Sequence, residues 1–535
     1  MELVFADKPG GVTTHTSLNE KDRLDISVDQ ADGFKEHLEH RFSTQLFVSH
    51  RLDRETTGAI VFARSTSAAR DLQEAFAGHL VEKTYLLLTD RKVTAREFTV
   101  ESHILREGNQ FLSLEPSSKH RVNSSTHFQL LEEGEGYFLW QARPKTGKSH
   151  QIRLHAKQML MPILGDTVYG GGSFPALCLH SSEIRFTIAG RSYHHRTPAP
   201  RWFEDRRLLR DPLLCRWLYA VERRERLLRT YQALESAGVS SAAPQTLRWI
   251  HVEGDPLRVD QFGEIFQLSW YRDGEPREFE MKSILELARL CGWNKWYLQV
   301  RGDRGRTPNQ EKVLTSHTDL PLKWLAEESG VNYEFRRDSG LSPGLFLDQR
   351  RNRQFVKLRS NKKRVLNLFS YTGGFSVNVA LGGAEHIVTV DLSRPFLEWT
   401  KENFALNHIA IEKNFEFRSI DSIEYLDWAI KKQIQFDLVI CDPPSFSRSK
   451  GKIFRIEDEL QKLVVRLCRV TAPGGLILFC CNFEKWTLQQ FVKQAMDGVH
   501  KSGLKFTLQP SPSPDWDFEL PRQDRLMKTF MLGRS

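Results

Sequence analysis

Apolar and polar positions follow three regimes along the chain. Up to about residue 200 the apolar runs are short, alternate with polar residues and are broken by turn residues, which predicts many short strands. One helix is predicted over 67–79 (SAARDLQEAFAGH), and Pro198 and Pro200 mark a boundary. Over 203–236, Leu208, Leu209, Leu213, Leu214, Trp217, Leu218, Val221, Leu227 and Leu228 recur at helical spacing among arginines. Residues 237–245 (AGVSSAAPQ) read as a linker. From Leu247, WIHVEGDPLRVDQFGEIFQLSWY predicts strands joined at Gly254-Asp255-Pro256 and at Gly263, then a helix near 281–291 and a strand over 296–300. A second break lies at Asp338–Gly344. Beyond it the apolar strands RVLNLF, HIVTVD, FDLVICD and GLILFCC alternate with the helices FSVNVALGG, RPFLEWTKENFAL and IEDELQKLVVRLCRV, the pattern of a mostly parallel sheet covered on both faces.

Composition changes little in this picture. A chain of 535 residues suggests about three or four domains. A content of 40% hydrophobic and 27% charged residues excludes collagen-like, disordered and membrane classes. The longest uncharged stretch, 365–384, carries polar residues and four glycines, so it reads as strand, loop and helix rather than a membrane span. MELVFADKPGG lacks a basic segment followed by an apolar core, so no signal peptide is expected. Seven cysteines show neither CxxC nor Cys/His ligand spacing, so no disulfide framework and no metal site are expected, and a reducing cytoplasm fits.

Charge is more informative in its arrangement than in its total of +9. Residues 143–157 carry +5, 191–230 carry +6 and 351–364 carry +7, which leaves −9 for the rest. Such clustering points to a polyanionic partner, most simply nucleic acid, with solvated helix faces as the plain alternative.

The first candidate chemistry is His50-Arg51-Leu52-Asp53-Arg54-Glu55-Thr56-Thr57-Gly58. An aspartate flanked by two arginines can stay ionised and serve as nucleophile or base, although alone it reads first as a structural ion pair. With it come Lys8-Pro9-Gly10-Gly11, Lys83-Thr84-Tyr85-Leu86, the run Thr146–His155 (TGKSHQIRLH) and Pro162–Gly170 (PILGDTVYG). In order and spacing these resemble the RluA family of RNA pseudouridine synthases over nearly all of 1–204. The resemblance implies a cofactor-free isomerisation in which Asp53 attacks a flipped-out uridine, Tyr85 lies against the base and Arg153 pairs with the carboxylate. Only seven residues precede Lys8, where many relatives carry an RNA-binding domain.

The second is Asn367–Gly374 (NLFSYTGG) between a strand and a helix, where glycines let a ligand approach the backbone. Asp391 ends the next strand, placed for ribose hydroxyls. Asp421 could accept an adenine amine, and Asp442-Pro443-Pro444-Ser445-Phe446 ends the fourth strand. Together with Gly344–Arg350 (GLFLDQR), VDLSRPFLEW and DPPSFSRSK, these resemble class I S-adenosylmethionine (SAM)-dependent methyltransferases acting on large-subunit rRNA bases. Over about 247–535 the likeness is nearest to the RlmK-type guanine-N7 enzymes. It implies that Gln349, Asp391, Asp421 and Asp442 line the SAM site, with Ser370, Tyr371, Thr372 and Gly373 beneath the methionine part. Guanine N7 is already nucleophilic, whereas cytosine C5 needs a cysteine to add first. Cys480 and Cys481 lie near where the RlmI-like cytosine-C5 enzymes keep that cysteine, but alignment from Gly474-Gly475 puts it on Asn482.

The expected architecture is multidomain α/β and α+β. A pseudouridine synthase fold with a mixed, mainly antiparallel sheet occupies 1–204 and an Arg-rich helical linker 205–245. A small α+β domain follows over 246–338, and a Rossmann-like class I methyltransferase over 339–535. The expected function is a bifunctional RNA-modifying enzyme acting on rRNA in the cytoplasm, with SAM as cofactor of the second half and none for the first. Cytosine-C5 methylation, or one half serving only to bind RNA, are the alternatives. The arginines of 203–230 and the segment 351–364 are expected to grip phosphates along a path past both sites.

Overall fold

A computed structural model describes residues 2–16, 33–108, 110–134, 136–236, 245–252, 254–301, 313–340, 342–449, 452–512, 515–518 and 527–535. Most of the expected linker 237–245, and RGDRGRTPNQ from residue 302, lie outside them. The chain forms two compact units: Met1–Ala243 with Pro276–Gly292, and Pro244–Glu275 with Trp293–Ser535.

The first unit is built on a ten-stranded sheet. Its main path runs Leu3–Lys8, Thr57–Ala63, Leu179–Ile188, Glu82–Thr89, Tyr137–Pro144, Ser124–Gly134, Glu97–Glu107 and Gln110–Leu114. Thr57–Ala63 pairs in parallel with Leu179–Ile188, and the other ladders are antiparallel. Thr57–Ala63 is buried along its whole length, as befits a strand covered on both faces. The predicted helix is Thr66–Ala77; Ser65 caps it by accepting from the Ala68 amide, and Ala68, Ala69, Leu72 and Ala75 face the sheet.

The Arg-rich segment is packed into this unit. Asp211 accepts from the Leu214 amide to start the helix Pro212–Ser236, with Pro212 in its first turn. Leu214, Trp217, Leu218, Val221 and Tyr231 are buried. Arg226 is 1% exposed and meets the Asp7 carboxylate at 2.6 Å. Arg229 reaches the other Asp7 oxygen at 2.9 Å, and Arg201 pairs with Glu222 and Glu225, each at 2.8 Å. The phosphate-gripping role expected of 203–230 is therefore corrected for Arg226 and Arg229. Periodicity marks which face of a helix is polar, but the carboxylates that neutralise it come from Asp7, more than 200 positions away, and from within the segment itself.

The second unit opens with a five-stranded sheet, Thr246–His251, Leu257–Phe262, Ile265–Trp270, Lys295–Val300 and Val313–Thr315 in that order, and a hairpin of Lys323–Glu328 with Val331–Arg336. Its larger sheet runs Phe415–Ser419, His386–Asp391, Arg364–Leu368, Phe436–Cys441, Thr471–Cys481, Lys528–Arg534 and Phe506–Gln509. The first five strands are parallel and Lys528–Arg534 is antiparallel to both neighbours. The helix Ile456–Val470 buries Ile456, Leu460, Leu463, Val464 and Leu467, one stripe at helical spacing. Gly374–Leu381 is buried on nearly every side; its polar Ser376 and Asn378 are satisfied by Asn367 and by the Tyr333 hydroxyl. Strand order reverses at Arg364–Leu368, so a crevice opens at the carboxyl ends of that strand and of Phe436–Cys441.

Candidate functional site

In the first unit Asp53 sits in the loop entering Thr57–Ala63. The Thr56 amide donates to its carbonyl (3.1 Å). Gly58, at φ +111°, follows; a Cβ there would lie 2.1 Å from the Ser181 carbonyl, so only glycine allows the close parallel pairing. Lys8 is buried, and its ammonium donates to the carbonyls of Pro9, Val12 and Arg54 (2.7–3.0 Å), tying the KPGG turn to the Asp53 loop. Burial lowers the Lys8 pKa to about 7.

The Asp53 carboxylate faces Arg153 at 3.5 Å; the side chains are 23% and 7% exposed. Arg153 rides on the helix Gln151–Gln158 and is held from behind by Asp166 through two parallel hydrogen bonds of 2.7 and 2.8 Å. Its guanidinium also lies 5.0 Å from the centre of the Tyr169 ring, whose hydroxyl is 2.8 Å from His150 Nδ1. Of the arginines flanking Asp53, Arg51 is exposed and Arg54 donates to the Gly11 carbonyl (3.1 Å). The cation facing the carboxylate thus comes from a helix about 100 residues on.

Tyr85 lies in Glu82–Thr89, opposite Ala142 on one side and Ser181 on the other. Burial raises its phenol pKa and keeps it protonated, with the Asp53 charge adding to the effect. His50, on the same loop as Asp53, accepts from the Val61 amide at 3.1 Å and stacks on Phe76 at 4.4 Å. Burial, reinforced by Lys83, depresses the His50 pKa to about 3, so it is neutral. The basic Thr146–Ser149 turn is pinned by Gln151, which accepts from the Thr146 hydroxyl and the Lys148 amide, and by Lys83, which donates to the Thr146 carbonyl. Arg143, Lys145, Lys148 and Lys157 around it are exposed. Asp166 and Tyr169 both stand in PILGDTVYG, but nothing in the sequence assigns either a part. The available signal was an acid and an aromatic in a motif that accompanies Arg153's basic run.

In the second unit the turn Phe369–Gly373 leaves Arg364–Leu368 with Phe369, Tyr371 and Gly373 at positive φ. A Cβ on Gly373 would lie 2.1 Å from Thr400. Tyr371 donates its amide to Asp391 (2.8 Å) and its hydroxyl to the Ser342 carbonyl (2.8 Å); Thr372 donates to the Gly344 carbonyl. Asp391 also accepts from the Ser393 amide at 2.8 Å. Burial raises its pKa. Asp421 caps the helix Ser422–Lys431 through one oxygen, which accepts from the Ile423 and Glu424 amides. Gln349 is buried and donates to Asp442 (2.9 Å) while accepting from Asn352 (2.6 Å). Burial, with the charge of Asp348 added, pushes the Asp442 pKa up to about 7.

These residues fit a polar, cationic ligand. Asp348 Oδ1 and Ser370 Oγ are buried without a hydrogen-bond partner among the described residues, an arrangement that favours a ligand supplying one. Asp348 stands beside Gln349 in GLFLDQR, and no sequence signal separates it from its neighbours. Cys480 and Cys481 are buried at the end of Thr471–Cys481. Burial holds the Cys480 thiol well above its usual range and pushes Cys481 up to about 11. Asn482 is exposed and accepts from the Ser445 hydroxyl (2.6 Å) in the loop after Asp442.

The basic segment 351–364 divides. Arg353 is buried on Glu328 through bonds of 2.7 and 2.8 Å, and Arg351 approaches Asp515 at 3.7 Å. Arg359, Lys362, Lys363 and Arg364 are exposed but stand where the strand begins, at the opposite end from the Phe369–Gly373 turn. The expected path of this segment past the second site is corrected accordingly.

A parallel sheet with carboxylates around a strand-end crevice, joined in one chain to a mainly antiparallel sheet carrying an Asp–Arg–Asp chain, defines a SAM-dependent methyltransferase linked to an RNA pseudouridylate synthase domain. Family models agree: RNA pseudouridylate synthase matches residues 2–158, and S-adenosylmethionine-dependent methyltransferase matches 306–499. The ribosomal RNA large subunit methyltransferase K of Neisseria meningitidis serogroup B is 35% identical over 249 residues, covering 45% of this chain and 69% of that protein. The chain belongs to that methyltransferase family. The ribosomal RNA large subunit methyltransferase K/L of Shewanella sp. strain MR-4 is 41% identical over 189 residues, 35% of this chain. The chain spans 26% of the length of that relative. Among solved structures, SMU.776 complexed with SAH superposes with a TM-score of 0.50 at 26% identity over 59% of this chain and 81% of that one.

Proposed function

We propose that the chain is a bifunctional RNA-modifying enzyme, isomerising a uridine to pseudouridine with its first unit and methylating guanine N7 of large-subunit rRNA with its second. The observation that carries the reading is the Asp53–Arg153–Asp166 chain: a partly exposed carboxylate faced by a guanidinium that a buried carboxylate keeps in place. In this reading Asp53 attacks the flipped uridine, and the bond it makes is broken again, releasing the carboxylate, before the product leaves. The N–C glycosidic bond breaks, a C–C bond forms, and the proton lost from carbon is balanced by one gained on nitrogen, so no redox partner is needed. Tyr85 stays a neutral phenol against the base, and the exposed cations of 143–157 hold the flanking phosphates.

In the second unit Gln349, Asp391, Asp421, Asp442 and the Ser370–Gly373 turn would hold SAM, which supplies an electrophilic methyl group. Carboxylates around the crevice favour a sulfonium electrostatically. Guanine N7 is preferred to cytosine C5 because the two candidate thiols are buried and held protonated, and Asn482 offers no nucleophile. Family membership and the named relatives support rRNA as substrate, and the cytoplasm as compartment follows from that substrate. Among the described residues no helix is long and apolar enough to cross a membrane.

Mapping of modified nucleosides in rRNA by mass spectrometry tests each half. Asp53→Ala should abolish the pseudouridine and keep the methylation; Asp442→Ala should do the reverse. Pseudouridine surviving Asp53→Ala would remove the first assignment. Calorimetry that detects no SAM binding to the intact chain would remove the second.

A further inference from the structure

We propose that the end of the methyltransferase sheet opposite the cofactor crevice is a docking surface for an RNA backbone. This rests on the reading that the chain acts on RNA, and adds a second place where RNA is held.

Five parallel strands all enter from the same end, so the turns that feed them share one edge. Here those turns are hydrogen-bonded into a continuous surface. The Lys362 amide donates to Gly383 (2.8 Å), the Glu385 amide to Lys363 (2.9 Å) and the Ile387 amide to Asn414 (3.0 Å). On the other side the Arg364 amide donates to the Asp437 carboxylate (2.8 Å), and the Gln435 side chain reaches the Arg469 carbonyl (3.5 Å).

The exposed side chains of this edge are mainly cationic. Arg359, Lys362, Lys363 and Arg364 precede the central strand. Lys413 precedes Phe415–Ser419, Lys431 and Lys432 precede Phe436–Cys441, and Arg469 precedes Thr471–Cys481. The acids on the same turns are Glu385, Glu412 and Asp437, and the last is occupied by the Arg364 amide. Helix dipoles account for Arg359, Lys431 and Arg469, each in a last helical turn. They leave Lys362, Lys363, Lys413 and Lys432, which lie in turns between helix and strand, and Arg364 at the start of its strand.

A line of phosphates fits this arrangement better than a single anionic group, because the cations spread along successive turns rather than converging on one point. The crevice end, by contrast, gathers Asp348, Asp391, Asp421 and Asp442, which favour a sulfonium and oppose phosphate. Strands of this length put roughly 17–20 Å between the two ends. A folded RNA large enough to present a base at one end can reach the other.

The test uses the full chain and purified bacterial large-subunit rRNA in filter-binding titrations at several salt concentrations. Lys362→Glu/Lys363→Glu is compared with Lys282→Glu/Lys493→Glu, an equal charge change at two other exposed lysines. The first pair should weaken RNA binding at least about fivefold and flatten the salt dependence, by about 0.7–0.9 in log–log slope for each phosphate no longer neutralised. The second should do neither. SAM binding measured by calorimetry should be unchanged in both, which also reports that the unit is folded. Equal RNA affinities for wild type and the first pair, or equal losses in both pairs, would overturn the proposal. If wild type binds SAM but no RNA, the failure lies instead with the reading of the chain as an RNA-modifying enzyme.

Discussion

Asp7→Ala should be among the most destabilising single substitutions in the first unit, and its size can be worked from the packing. The Asp7 carboxylate is 4% exposed and neutralises Arg226, itself 1% exposed, at 2.6 Å. Its second oxygen accepts from Arg229 at 2.9 Å, and its amide donates to the Thr230 hydroxyl at 3.0 Å. Removing the carboxylate leaves Glu222, at 3.5 Å, as the counter-charge beside the interior Arg226. Breaking a buried pair in this way costs about 3–5 kcal/mol, because the remaining guanidinium has been stripped of water and loses its counter-charge. Glu222 retains part of the balance and Arg229 can turn to solvent, which places the expected loss near the lower figure, about 3 kcal/mol. Urea unfolding followed by fluorescence measures it, with SAM added to hold the second unit and separate the transitions. A loss under about 1 kcal/mol would refute the claim that the Arg-rich helix is an internal strut. The double change Asp7→Leu/Arg226→Met provides a further check: a hydrophobic pair of similar volume should recover most of the loss. Because Lys8 follows Asp7 and holds the Arg54 carbonyl, Asp7→Ala should also lower pseudouridine formation while methyl transfer persists.

Three further outcomes are expected. Asp442 titrates near pH 7 in the fold against a usual 3.8, so the fold binds its proton more tightly than the unfolded chain does. Stability from this group is therefore lost as pH rises from about 4 through 7, and Asp442→Asn should stabilise the SAM-free protein at pH 8 by about 1–2 kcal/mol after discounting partial exposure, with no gain at pH 4; thermal melts at both pH values check the sign. Cys480→Ala/Cys481→Ala should keep methyl transfer within a few-fold of wild type, and its abolition in a folded, SAM-binding variant would restore the covalent cytosine-C5 route. Gly373→Ala should lose SAM binding by calorimetry, since its φ of +76° and a Cβ 2.1 Å from Thr400 force the turn to move.

The C-terminal sheet was the most legible part of the chain. Its central strands are buried on both faces and most of its helices carry one apolar stripe, so IEDELQKLVVRLCRV coincides with the helix Ile456–Val470. The antiparallel final strand was not legible, because a strand inserted between two others leaves the same apolar signature whichever way it runs. In the first unit, motifs located the Asp53 and Arg153 segments, but local sequence pointed to Arg51 and Arg54 as the partners of the carboxylate. The family resemblance implied Arg153 instead, and the Gln151–Gln158 helix brings it to the carboxylate; that Asp166 anchors it emerges only from three-dimensional packing. Asp348 was hidden for a similar reason: a buried carboxylate oxygen with no partner is a property of its surroundings, not of its neighbours in sequence.

The three basic stretches show how one sequence signal covers three physical states. In 191–230 the charges that face inward are matched by Asp7, Glu222 and Glu225, so they hold the helix to the sheet. In 143–157 one arginine is buried to serve the Asp53 carboxylate while Arg143, Lys145, Lys148 and Lys157 stay in water. In 351–364 the helical half turns Arg353 onto Glu328, and the turn that follows holds Lys362 and Lys363 out in solvent. Net charge counts these alike, yet only the hydrated, unmatched cations retain charge to exchange for phosphate, and counterion release depends on that number alone. The salt dependence of RNA binding should therefore follow the exposed cations of 143–157 and 359–364 and be nearly indifferent to Arg226, whose removal costs stability instead.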